Sequence, residues 1–76
     1  NLVIIGHTAN VGNKSVQKRL SEERAKGVLD YLVKKHGFLS SNLSYEGRGG
    51  EYPIADNSTE DGKAKNRRVE IVILKR

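Results

Sequence analysis

The sequence predicts an α+β fold in which one long helix packs on a small mixed sheet. Three observations carry this expectation. The apolar run "LVII" stands at Leu2 to Ile5 and a second, "IVIL", at Ile71 to Leu74. Between them a helical spacing of apolar side chains extends from about Val16 to His36. A glycine-rich, irregular stretch then separates a short second strand from the last one.

Leu2 to Ile5 holds three branched residues and stops at Gly6, the pattern of a strand buried on both faces. The segment "HTANVGNKS" is a turn, and Asn13 or Ser15 can cap the following helix with a side-chain oxygen. From Val16 onward, Val16, Leu20, Val28 and Leu32, flanked by Ala25, Leu29 and Val33, recur at three- and four-residue spacing, so they are expected on the core-facing side. Lys34, Lys35 and His36 complement the helix dipole, and Gly37 is the expected left-handed stop. "FLSSNL" reads as a connector, and in "LSYEGRG" the alternation of Leu43, Tyr45 and Gly47 predicts a short strand at an edge or near a bend. "STEDGKAKN" can hold one helical turn capped by Ser58 or Thr59, and Val69, Ile71 and Ile73 alternate along a final strand. The long helix supplies the crossover that two parallel strands require. This order leaves part of the sheet's apolar surface uncovered.

At 76 residues the chain is at most one domain with a thin core, and its formal charge is +5. Without cysteine it has no disulfide, thiolate metal site or cysteine nucleophile, and the redox compartment stays open. Its apolar runs are far short of the ~20 residues that cross a bilayer as a helix. The sequence contains no methionine and begins almost at once with a buried-type strand, so it reads as a piece of a longer protein.

No catalytic constellation stands out. His7 and His36 lack the spacing that aims two ligands at one metal, and His7 is expected as a strand-end histidine bonded to backbone. "GRGGE" lacks the lysine and helix start of a phosphate loop. Glu22 and Glu23 fall on an exposed helix turn and Glu60 with Asp61 in a loop, which offers no paired-carboxylate chemistry. The chain is expected to be no enzyme and to need no cofactor or metal. Nucleic acid is a poor candidate partner, because no aromatic platform accompanies the basic charge.

Arg24 is more informative, since it lies four residues after Leu20 and four before Val28, within an otherwise apolar stripe. Such a guanidinium either snorkels to solvent, pairs with a carboxylate such as Glu70, or holds a ligand carboxylate through its fork of donors. Arg67 and Arg68 add cations before the last strand; neighbours on a strand point to opposite faces, so at most one joins a given pocket.

The segments "IIGHTANVG", "LSEERAKGVLDYL" and "YEGRGGEYPIADNSTEDGKAKNRRVEI" occur in an order and spacing that resembles the peptidoglycan-binding domain of the OmpA/MotB-like family, which includes the peptidoglycan-associated lipoproteins. The resemblance runs from Ile4 to Ile73. It implies a βαβαβ-type sandwich that grips the peptide stem of the bacterial cell wall in the periplasm, attached to or part of an outer-membrane protein. The family domain has a further strand and helix before the "GHT" strand, so residues 1–76 correspond to its latter two thirds. The uncovered sheet surface is where those elements pack, and self-association of such a domain is a possible substitute.

The resemblance also implies a ligand, the diamino acid of the stem peptide, usually diaminopimelate, whose distal end is a zwitterion. An aspartate after "GHT" faces its ammonium and the arginine of "LSxxRA" its carboxylate. Here these positions are Ala9 and Arg24. Thr8, the position of a family asparagine now held by Gln17, and the "NRR" segment from Asn66 to Arg68, of which Asn66 and Arg67 are expected in the pocket, complete the implied contacts, with Asn10 in the turn and Leu20 beside Arg24 as further candidates. Losing the acid at position 9 removes a charge-assisted hydrogen bond worth roughly 1.5–3 kcal/mol, unless Asn10, a backbone carbonyl or an acid from elsewhere compensates. Two functions therefore stay open: non-covalent wall binding, and a degenerate OmpA-like module that serves as a structural or protein-interaction domain.

Overall fold

A computed structural model describes residues 1–74 of the chain. It is α+β, with a helix laid on a three-stranded mixed sheet. The elements run β1 (Leu2–Gly6), α1 (Lys14–His36), a 3-10 turn (Ser40–Asn42), β2 (Leu43–Gly47), α2 (Glu60–Asn66) and β3 (Val69–Ile73). The sheet order is β2-β1-β3, with β1 parallel to β2 and antiparallel to β3. Bonded on both edges, β1 carries the core residues Ile4 and Ile5, whereas β2 is an edge strand. At 23 residues α1 is about 35 Å long. It therefore sets the 39 Å long axis of the molecule.

Local chemistry fixes the ends of the helices. The Asn13 side chain accepts from the amides of Ser15 and Val16, so α1 starts at Lys14, two residues before the apolar periodicity begins. Gly37 takes the left-handed conformation at φ 69°, and its amide and that of Phe38 both reach the Leu32 carbonyl. α2 is a seven-residue helix rather than a single turn, capped by Thr59 Oγ1 on the Gly62 amide at 3.0 Å. Glu60 and Asp61 therefore open a helix and are not loop residues.

The face of α1 that meets the sheet differs from the one its hydrophobic spacing predicts. Gln17, Ser21 and Ala25 are the buried residues, whereas Val16 is 41% and Leu20 40% exposed. The cause is close approach. Gly6 and Gly47 are register partners on β1 and β2, and a Cβ on either would overlap Ser21 or the backbone of Glu22. Only a small side chain fits at Ser21, where the helix lies that near the strands, while Gln17 one turn earlier is buried through its bonds to Asn10 and Gly12. Farther along, Val28, Leu29, Leu32 and Val33 are half-buried.

On β3, Ile71, Val72 and Ile73 are exposed. The C-terminal ends of β1 and β2 and the start of β3 lie at one end of the sheet, where Gly6 pairs with both Gly47 and Val69. The 7–13 turn, the 48–59 loop and α2 all leave or enter the sheet there. Among the described residues, no helix is long and apolar enough to cross a membrane.

Candidate functional site

The turn after β1 is held on both sides. The His7 amide donates to the Arg68 carbonyl at 2.8 Å and the Thr8 amide to the Gly49 carbonyl at 2.9 Å. The His7 ring is buried and bonds not to backbone but to a carboxylate, with Nε2 donating to Glu70 Oε1 at 3.0 Å. Arg68 Nε donates to the other oxygen of Glu70 at 3.0 Å, and Nη2 reaches the Tyr52 carbonyl at 3.1 Å. The Arg68 and His7 bonds hold the Glu70 carboxyl below the usual glutamate range. Glu70 is thus the partner of His7 and Arg68, and the pairing of Arg24 with Glu70 that the sequence allowed is not formed.

Arg24 instead stands with Val16 and Leu20 on the outward stripe of α1. Its Nη1 donates to the His7 carbonyl at 3.4 Å, and it has no carboxylate partner among the described residues. It lines a cleft of about 290 Å3 together with Thr8, Ala9, Val11, Val16, Gln17, Leu20, Glu60, Lys63 and Arg67. Thr8 is only 7% exposed, and its hydroxyl has no hydrogen-bond partner among the described residues.

Six of the eight residues expected from the sequence line this cleft: Thr8, Ala9, Gln17, Leu20, Arg24 and Arg67. Asn10 and Asn66 do not. Asn66 is fully buried and its amide is saturated: Oδ1 accepts from Ile54 and Ala55 at 2.8 and 3.0 Å, and Nδ2 donates to the Ala55 carbonyl and Asn57 Oδ1 at 3.0 and 2.7 Å. Asn57 Oδ1 also accepts from the Asn10 amide at 3.2 Å, and Asn10 Oδ1 accepts from Gln17 Nε2 at 3.3 Å. Gln17 Nε2 further donates to the Gly12 carbonyl at 3.0 Å. These four amide side chains link α2, the 54–57 loop, the turn after β1 and α1. Of the four, Gln17 lines the cleft.

Of the neighbouring arginines, Arg67 joins the cleft and Arg68 turns to Glu70. Sequence reasoning missed Glu60 and Lys63, which stand three residues apart in the first turn of α2 and both line the cleft. The Thr59 cap was the available signal; the nearness of α2 to α1 had none. Ahead of α2, the amide and hydroxyl of Ser58 bond Asp56 and lower its pKa. Three cations and one acid therefore surround the opening, an arrangement suited to a carboxylate held by Arg24. Among the described residues, no cluster of His, Asp and Glu is built to hold a metal ion.

Comparison with known proteins agrees with the fold and the order of these segments. The chain matches the OmpA family over residues 1–67. It is 46% identical over 72 residues to the peptidoglycan-binding protein ArfA of Mycobacterium tuberculosis, covering 95% of this chain and 22% of that protein. Against outer membrane protein A of Bordetella avium it is 42% identical over 73 residues, covering 96% and 37%. The C-terminal domain of Helicobacter pylori MotB superposes with a TM-score of 0.85 at 29% identity, covering 95% of this chain and 55% of that one. The chain thus spans between about a fifth and just over half of the proteins it matches. With the family match extending over most of its length, the chain belongs to the OmpA family.

Proposed function

We propose that this domain binds peptidoglycan non-covalently through the free carboxylate of a stem-peptide diamino acid such as diaminopimelate, anchoring a periplasmic or outer-membrane protein to the cell wall. The observation that carries the reading is Arg24, a guanidinium in an open cleft with no carboxylate partner among the described residues. The fork of donors suits a planar carboxylate. The name of the relative ArfA supports the wall as the partner. The domain acts by binding, with no catalytic role for His7, whose ring is committed to Glu70.

A second reading keeps the fold as an interaction module without wall binding, and the alanine at position 9 favours it. Co-sedimentation with purified peptidoglycan separates the two. Pelleting of the wild-type protein, lost in Arg24→Ala, is the expected result. Wild type that stays in the supernatant refutes wall binding, and pelleting unchanged by Arg24→Ala refutes the arginine mechanism.

A further inference from the structure

We propose that Glu60, not residue 9, faces the ammonium of the ligand, so that the two charges of one zwitterionic amino-acid end are read from two helices. The inference rests on the wall-binding reading above. Arg24 on α1 and Glu60 on α2 line the same cleft, and Glu60 is the only acid there among the described residues. Ala9 lines it too, but its methyl group carries no charge. An ammonium entering beside a carboxylate held on Arg24 would meet two further cations, Lys63 and Arg67, and needs a counter-charge.

Glu60 is placed to supply it. The first turn of α2 is fixed by the Thr59 cap, and Gly62 lies so close to the Asp56 carbonyl that a Cβ there would overlap it. At the other end Asn66 ties α2 to the 54–57 loop. The helix is therefore held at both ends while the Glu60 side chain is 84% exposed and free to turn. Its one partner among the described residues, Lys63 Nζ at 3.3 Å, forms an exposed pair with it three residues along the same helix. Such pairs are weak, so a ligand ammonium can displace the lysine from the carboxylate.

The test is calorimetric titration with two probes, diaminopimelate and pimelate, the same dicarboxylate chain without its amines. Wild type is expected to bind diaminopimelate more tightly. Glu60→Gln should weaken diaminopimelate about ten-fold, the loss of one charge-assisted contact, and leave pimelate as tight or tighter. Lys63→Gln, which removes the competitor, should tighten diaminopimelate a few-fold. Moving the acid in Ala9→Asp/Glu60→Gln should recover most of the lost affinity. Wild type that binds both probes equally, or Glu60→Gln that binds diaminopimelate as wild type does, overturns the role of Glu60. If peptidoglycan pelleting and its dependence on Arg24 persist in that case, the wall-binding reading survives. A wild-type protein that binds neither probe nor peptidoglycan overturns both.

Discussion

Gly6 and Ser21 meet backbone to backbone: the carbonyl of Ser21 occupies the place a Cβ on Gly6 would take. That contact brings α1 onto the sheet at the end where the cleft opens, three residues before Arg24. Ser21 Oγ then accepts from the Gly49 amide at 2.9 Å and donates to the Lys18 carbonyl at 2.7 Å, which ties the helix to the loop after β2. Gly6→Ala is expected to destabilise the fold by about 2–3 kcal/mol or more, because the obstacle is backbone that cannot rotate away. Ser21→Ala should cost less, about 1–2 kcal/mol, as the buried Gly49 amide loses its acceptor. Urea denaturation of both variants checks the order; a Gly6→Ala protein as stable as wild type would refute the close packing.

The same contact explains what the sequence made legible and what it did not. The strand at Leu2, the helix with its Gly37 stop and the capping at Thr59 follow from local chemistry, which residue order displays directly. Which face of α1 is buried depends on glycines 15 and 26 positions away from Ser21, at Gly6 and Gly47, and on the depth to which they admit the helix. The spacing of Val16, Leu20 and Val28 predicts a core-facing stripe, but its first two members border the cleft. Arg24 looked like an intrusion into the core for the same reason. For Asn66, the resemblance implies a ligand contact, whereas the structure commits its amide to the 54–57 loop. Glu60 could not be placed from sequence, because its position relative to Arg24 depends on tertiary contacts between segments more than 30 residues apart.

Asn66 should prove to be a structural brace. Asn66→Ala removes the acceptor of two loop amides and two donors at once, and the expected loss is about 3 kcal/mol. Asn66→Asp keeps the acceptor but replaces the donors with an oxygen facing Asn57 Oδ1 and the Ala55 carbonyl, so it should be destabilising as well. Hydrogen exchange at Ile54 and Ala55 reads this locally: protection should fall in both amides in Asn66→Ala. Retained protection there would contradict the bonding described.

Acid should weaken the junction between β1 and β3. The Arg68 and His7 bonds lower the pKa of Glu70 in the folded state, so its contribution is fully present above the usual glutamate value. It is lost as pH falls below that value and through the depressed folded one. Glu70 is partly exposed, so the contribution is small, below about 1 kcal/mol. The stability difference between wild type and Glu70→Gln should shrink as pH falls below the usual glutamate range. Denaturation midpoints across that interval test the sign; a difference that grows on acidification would contradict it.

Arg24→Lys separates geometry from charge at the proposed site. Lysine preserves the positive charge but not the planar fork, and its shorter donor set cannot engage both oxygens of a carboxylate in parallel. The fork is already oriented, since Nη1 is tethered to the His7 carbonyl and that carbonyl belongs to a residue clamped by Arg68 and Glu70. If the cleft holds a carboxylate in this way, Arg24→Ala should reduce peptidoglycan binding ten-fold or more, and Arg24→Lys should recover only a small part of it. Because Arg24 is exposed, any purely long-range attraction should be screened by salt, while the bidentate contact should be less sensitive. Pelleting measured at low and high salt for the three proteins distinguishes these cases. Full recovery by lysine, with binding abolished by salt in wild type, would mean that the cleft attracts the wall by charge alone.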